Sequence, residues 1–141
     1  MLPIFRHRFT VDPEAIDENG HVNNVVYVQW MQDMAVRHSN AVGCTEMTRQ
    51  IGAMWVARSH RIEYLSPAFA GDEIEAQTWV ADFRKIRSRR RYRFVRVADQ
   101  RLLAQGETDW VFVDARTSRP RSIPPDVSGA FNVLSDDPPP A

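Results

Sequence analysis

The sequence predicts an α+β domain in which one long helix is wrapped by a five-stranded antiparallel sheet. Three observations predict it: a single long apolar-periodic segment between Asn24 and Val42, four β-branched and aromatic segments in succession after it, and separators too short for parallel crossovers. At 141 residues the chain has the size of one domain with a real core. We assign residues 1–133 to that domain and the Pro-rich residues 134–141 to a disordered tail.

Residues 5–11 mix apolar and basic side chains and stop at the turn pair Asp12-Pro13, which makes them a first strand. Turn formers fill the stretch from Ile16 to Asn24, and the helix follows directly. Gln29, Gln32, Asp33, Arg37 and Asn40 mark one polar stripe, while Val28, Met31, Met34, Ala35 and Val42 lie largely elsewhere, so much of the circumference is expected to be buried. Asn23 or Asn24 is suited to the N-cap, and Gly43 sits where a helix end favours a left-handed residue. A weakly patterned linker runs through Gly52, and strands are expected over 55–65, 73–83, 89–98 and 102–113, in a consecutive antiparallel meander. Ala104, Gly106 and Thr108 share one face of the last strand and leave room for a helix to lie close, with Trp110 and Phe112 extending that face.

The 18 basic and 18 acidic residues cancel, so no whole-protein field draws the chain to nucleic acid or to an anionic membrane. Cys44 is the single cysteine, which leaves no intrachain disulfide and suits a reducing compartment. No apolar run reaches the ~20 residues of a membrane span, and the N-terminus lacks a signal-peptide pattern. A cytoplasmic location is the expectation. Cys44 has no base beside it in sequence and reads as a packed residue, and the scattered His7, His38 and His60 form no zinc spacing, so neither a metal nor a cofactor is expected.

Chemistry concentrates in Asp17-Glu18-Asn19-Gly20-His21-Val22-Asn23-Asn24. A carboxylate, an amide and an imidazole crowd in front of a helix N-terminus, whose outward amides and dipole can polarise a carbonyl while a carboxylate attacks it or deprotonates water. The simpler alternative is that Asp17, Asn19 and Gly20 only close a turn before a capped helix. Arg84, Lys85, Arg87, Arg89, Arg90, Arg91, Arg93 and Arg96 form a second concentration of charge. On a strand Arg89, Arg91 and Arg93 share one face and Arg90, Tyr92, Phe94 and Arg96 the other, so these arginines divide between two roles. Pairing with acids on neighbouring strands accounts for part of them.

The run Asp17 to Tyr27, with Trp30 following, resembles the signature of hotdog-fold thioesterases of the 4-hydroxybenzoyl-CoA thioesterase type, and is similar to a run in plant acyl-ACP thioesterases. Ile62-Glu63-Tyr64-Leu65-Ser66-Pro67-Ala68, Gly71-Asp72-Glu73, Trp110-Val111-Phe112-Val113-Asp114 and Ile123-Pro124-Pro125 extend the resemblance over residues 5–131. It implies the hotdog fold, a homodimer that can pair into a homotetramer, and hydrolysis of an acyl-CoA to free acid and coenzyme A. It further implies that Asp17 is nucleophile or general base, that the Asn24 amide polarises the thioester carbonyl, and that Asn19 and His21 assist. Pro67-Ala68 replaces an acidic residue and a cysteine of the acyl-ACP branch, which favours acyl-CoA. Coenzyme A phosphates are expected at Lys85, Arg87, Arg89 and Arg90, chemistry that Arg and Lys suit, and Trp55 or Trp79 is placed to line an acyl pocket. Three other functions stay open: an enoyl-thioester hydratase of the same fold, a non-catalytic acyl-CoA binding module, and an RNA-binding protein using the arginine cluster, which the neutral net charge disfavours.

Overall fold

The computed structural model describes residues 3–135, so the expected tail lies outside them except for its first two residues. One of those, Leu134, is docked, donating its amide to the carbonyl of Val80 at 2.9 Å. Strand β1 (Phe5–Thr10) is followed by a short 3-10 turn (Pro13–Ala15), helix α1 (Asn24–Ala41), helix α2 (Cys44–Gln50), strands β2 (Ala53–Tyr64), β3 (Glu73–Phe83), β4 (Arg87–Arg96) and β5 (Arg101–Asp114), and a last turn of helix, α3 (Pro125–Ser128). The sheet is five-stranded and wholly antiparallel, with α1 against its inner face, the expected α+β hotdog architecture.

The strand order β1-β3-β4-β5-β2 corrects the expected meander. Only β3, β4 and β5 are consecutive neighbours; β2 pairs with β5, and β1 takes the other side of β3. The connection after β2 is longer than the ~2–5 residues of a hairpin, and its backbone is stitched across the end of the sheet. Leu65 and Ser66 donate to the Leu103 carbonyl, and Asp72 accepts from Val11. The chain can therefore leave β2 at one edge and enter β3 next to β1.

Asn23 caps α1, its Oδ1 accepting from the Val25 amide at 2.9 Å, and Gly43 ends the helix at φ 80°. Residues expected to form a linker after Gly43 fold as α2 instead. That helix is short and weakly patterned, and it holds because Cys44 and Thr48 are buried against the rest of the chain. The circumference of α1 is not mostly buried within one chain. Tyr27, Met31, Met34, Ala35 and His38 face the sheet, whereas Val25 and Val36 are 73% and 46% exposed.

The helix lies on the small residues of β5. An added Cβ on Gly106 would stand 2.7 Å from the Arg61 carbonyl oxygen and 3.2 Å from the Met31 sulfur, so the missing side chain is what lets Met31 seat there. Ala104 and Thr108 beside it are fully buried. One cluster, including Tyr27, Met31, Ile74, Phe94 and Leu103, fills the space under the first half of α1; a second, including Cys44, Val80, Phe112, Val127 and Phe131, fills the opposite end. Gly106→Ala is expected to lower unfolding stability by about 1–3 kcal/mol, the cost of overpacking a filled core, measured by urea denaturation.

Candidate active site

The Asp17 turn is built by local bonds and then pinned from two sides. Asp12 caps the 3-10 turn through Oδ1 to the Glu14 amide at 2.8 Å. Ile16 and Val22 form an antiparallel bridge, and between them the Asp17 amide donates to the His21 carbonyl and the Gly20 amide to the Asp17 carbonyl. Gly20 supplies φ 84°, a backbone conformation that other residues rarely adopt. The Val22 amide donates to Ala68, and the Asn23 amide donates to Ala15, tying the turn to its neighbours on both sides.

Asp17 is half-buried, and its Oδ1 accepts from the Asn19 backbone amide at 2.8 Å. The resemblance gave Asn19 an assisting role; the contact it makes with Asp17 is through the backbone, and its side chain is exposed. His21 stands edge-on to Phe69, ring centres 6.3 Å apart, and makes no side-chain hydrogen bond to Asp17 among the described residues. The amide of Asn24, first in the helix, donates to no protein group among the described residues, because Asn23 takes Val25 through its side chain and Val26 through its carbonyl. A free amide at the positive end of an 18-residue helix is a ready donor to a carbonyl oxygen that develops negative charge.

Two residues without an assigned role in the sequence hold this arrangement. Tyr64 Oη donates to the Asn24 carbonyl at 2.8 Å and packs edge-on to Tyr27. Arg96 Nη1 donates to Asp72 Oδ2 and to the Pro67 carbonyl, both at 3.2 Å, bracing the loop on which Ala68 and Phe69 lie. Tyr64 stood inside a motif and Arg96 inside the arginine run, but only the fold brings them to the turn. Tyr27 Oη, just beneath, is enclosed without a partner among the described residues; burial pushes its pKa up to about 12, so it stays protonated.

The residues expected to meet coenzyme A phosphates are elsewhere. Arg87 pairs with Asp109 at 3.5 Å and Arg89 with Glu107 at 3.4 Å, across to β5. Lys85 is exposed, with no ion pair among the described residues. All three sit by the β3–β4 turn, whereas the Asp17 turn is beside the start of β3; at ~3.3 Å per residue, the 11 residues of that strand separate them by roughly 30 Å within one chain. Arg90 departs from expectation outright. The strand alternation turns it to the inner face, where it is 5% exposed and donates to His38 Nδ1 at 2.8 Å and Thr78 Oγ1 at 3.2 Å, so it is not part of a surface phosphate site.

A cleft of about 400 Å³ opens between α1, α2 and the start of β2, walled mainly by apolar side chains that include Trp55, Phe83 and Trp110. Trp55 thus lines it; Trp79 is buried elsewhere, with Arg93 above its ring at 5.5 Å. Among the described residues no group of three or more His, Cys, Asp or Glu side chains is placed to hold a metal, and no helix is long and apolar enough to cross a membrane.

A family model of the thioesterase-like superfamily matches residues 11–131. The chain is 23% identical over 138 residues to an oleoyl-acyl carrier protein thioesterase from Arabidopsis thaliana, covering 92% of this chain and 38% of that protein. Among solved structures it resembles a 1,4-dihydroxy-2-naphthoyl-CoA thioesterase from Synechocystis, with TM-score 0.81 and 16% identity over 91% of this chain and 95% of that one. It also resembles a hypothetical protein from Staphylococcus aureus solved in complex with CoA, with TM-score 0.82 and 22% identity over 90% of this chain and 80% of that one.

His38 titrates outside the usual range: burial, and then the neighbouring Arg90 charge, push its pKa down to about 3. An unfolded histidine titrates near ~6.5, so below that the unfolded chain takes up a proton that the folded one refuses. The stability contribution is present above about pH 6.5 and is lost as pH falls towards 3. His38→Gln is expected to have a shallower decline of unfolding free energy between about pH 6 and 4, the difference approaching ~1.4 kcal/mol per pH unit at most, read from urea titrations at each pH.

Proposed function

The chain belongs to the thioesterase-like superfamily, and from that premise we propose that it hydrolyses acyl-CoA thioesters to the free acid and coenzyme A. The observation that carries this reading is the unpaired Asn24 amide beside a turn that presents the Asp17 carboxylate. The thioester carbonyl oxygen accepts from the Asn24 amide, where the helix dipole stabilises the negative charge that builds up on attack. Asp17 then acts in one of two ways. As nucleophile it forms an acyl anhydride, expels the thiolate, which takes a proton from solvent, and is regenerated by water. As general base it takes a proton from the attacking water and passes it to the departing sulfur. Asn19 holds the carboxylate through its backbone amide, and His21 orients the reacting groups.

One chain does not bring the cationic turn near this carboxylate, and a second copy offers a remedy. β2 is an unpaired edge, with Met54 and Val56 each 40% exposed on it and Leu65 49% exposed just beyond. An open edge with exposed apolar side chains favours self-association. Antiparallel pairing of two such edges sets the start of β2 in one copy beside its end in the other. The cleft by Trp55 in one copy then lies towards the Asp17 turn of the other and can receive the acyl group. In this homodimer, which can pair again into a tetramer, Lys85, Arg87 and Arg89 also move towards the other copy's catalytic turn and can meet the coenzyme A phosphates.

Thiol release from short, medium, long and aromatic acyl-CoAs is expected for the wild type, and Asp17→Asn is expected to reduce it at least ~100-fold while remaining folded by circular dichroism. Tight coenzyme A ester binding with no turnover by wild type would instead identify an acyl-CoA binding module, and water addition to an enoyl-CoA a hydratase.

A further inference from the structure

Arg90 is a buried cation with no carboxylate beside it among the described residues. Its two hydrogen-bond partners, His38 and Thr78, are neutral, and the guanidinium carbon lies 5.5 Å from the centre of the Phe131 ring. No carboxylate pairs with it among the described residues, and its Nε and Nη2 donate to no protein group there. The residue keeps 5% of its surface exposed. Arg90 lines the 400 Å³ cleft together with Val36, Met54, Trp55, Phe83 and Trp110. A guanidinium stays charged when buried, and an uncompensated buried charge is strongly unfavourable. What this cleft lacks is an anion.

We infer that the cleft binds a carboxylate borne on an apolar body, with the two carboxylate oxygens on Nε and Nη2 of Arg90. The pair of N–H groups along that edge of a guanidinium matches a carboxylate in bidentate geometry. Arg49 also lines the cleft but is paired with Glu46, so the charge left for a ligand is that of Arg90, which calls for a single negative charge, unlike a phosphoryl dianion, which needs more donors. An apolar cavity of ~150 Å³ takes one benzene, so 400 Å³ has room for roughly two to three such groups, the scale of a medium-length aliphatic chain or a fused aromatic. Two sources supply this chemistry: a free carboxylic acid, or the far end of an acyl group that carries a second carboxylate. The second source rests on the thioesterase reading; the carboxylate site itself does not.

The test titrates the intact protein with decanoic acid and with methyl decanoate, following binding by calorimetry and by the fluorescence of the tryptophans in the cleft. The acid is expected to bind at least ~10-fold more tightly than its ester, and Arg90→Met to remove that difference while still binding the ester. Equal binding of acid and ester, or no binding of the acid, overturns the inference, and this comparison needs only the wild type should the variant fail to fold. The source is then read from kcat/KM on decanoyl-CoA and decanedioyl-CoA. A preference of at least ~10-fold for the dicarboxylic thioester assigns the site to the acyl group, and equal rates, or no hydrolysis of either, assign it to the free acid. In the last case the hydrolase reading fails while the carboxylate site stands.

Discussion

The close approach of Met31 to Gly106 is the contact on which the rest of the arrangement depends. A helix can rest on a sheet only as near as the side chains between them permit, and here the sheet has no side chain at the point of contact. With α1 held at that depth, its Asn23-capped end meets the Ile16–Val22 bridge, and the Asp17 turn closes over it. Tyr64 from β2 reaches the same end through the Asn24 carbonyl, and Arg96 from β4 braces the neighbouring loop through the Pro67 carbonyl. Fold and candidate site are therefore one packing problem: the sheet determines where the helix begins, and the helix beginning determines where the Asn24 amide stands.

Charge is divided between the two faces of β4 by simple alternation. On the outer face Arg87 and Arg89 find acids on β5, partly exposed pairs of modest energy. Arg90, turned inward, has only an imidazole and a hydroxyl as partners among the described residues, and burial, together with the Arg90 charge, keeps that imidazole neutral. One strand thus carries paired arginines outside and an unpaired one inside, and the latter lies in the cleft rather than at the Asp17 turn. Each chain holds the Asp17 turn at one end of the sheet and the apolar cleft at the other, and the proposed self-association along β2 would bring the two together while covering Met54 and Val56.

Most of the fold was legible in the sequence because its signals are local. The limits of α1 follow from Asn23 and Gly43, and the bounds of β3 from residues 73–83, where alternation and turn formers coincide. Strand order was not legible, since the pairing of β2 with β5 depends on a connection whose backbone partners are Leu103, Val11 and Val22, none of them near it in sequence. Helix α2 was missed for a related reason: it is held by the burial of Cys44 and Thr48 rather than by its own periodicity. In the candidate site the Asp17–Asn24 run could be read directly, since its bonds are between near neighbours. The contributions of Tyr64 and Arg96 come from residues far away in sequence, and the inward turn of Arg90 was implied by alternation but its lack of an acid was not.

The most direct measurement is a structure of the protein bound to a non-hydrolysable ketone analogue of an acyl-CoA. The account predicts the ketone oxygen at ~2.7–3.2 Å from the Asn24 amide nitrogen, with the Asp17 carboxylate facing the carbonyl carbon. An analogue bound with its carbonyl turned away from the head of α1, or with Asp17 still directed only at the Asn19 amide and remote from the carbonyl carbon, would contradict it.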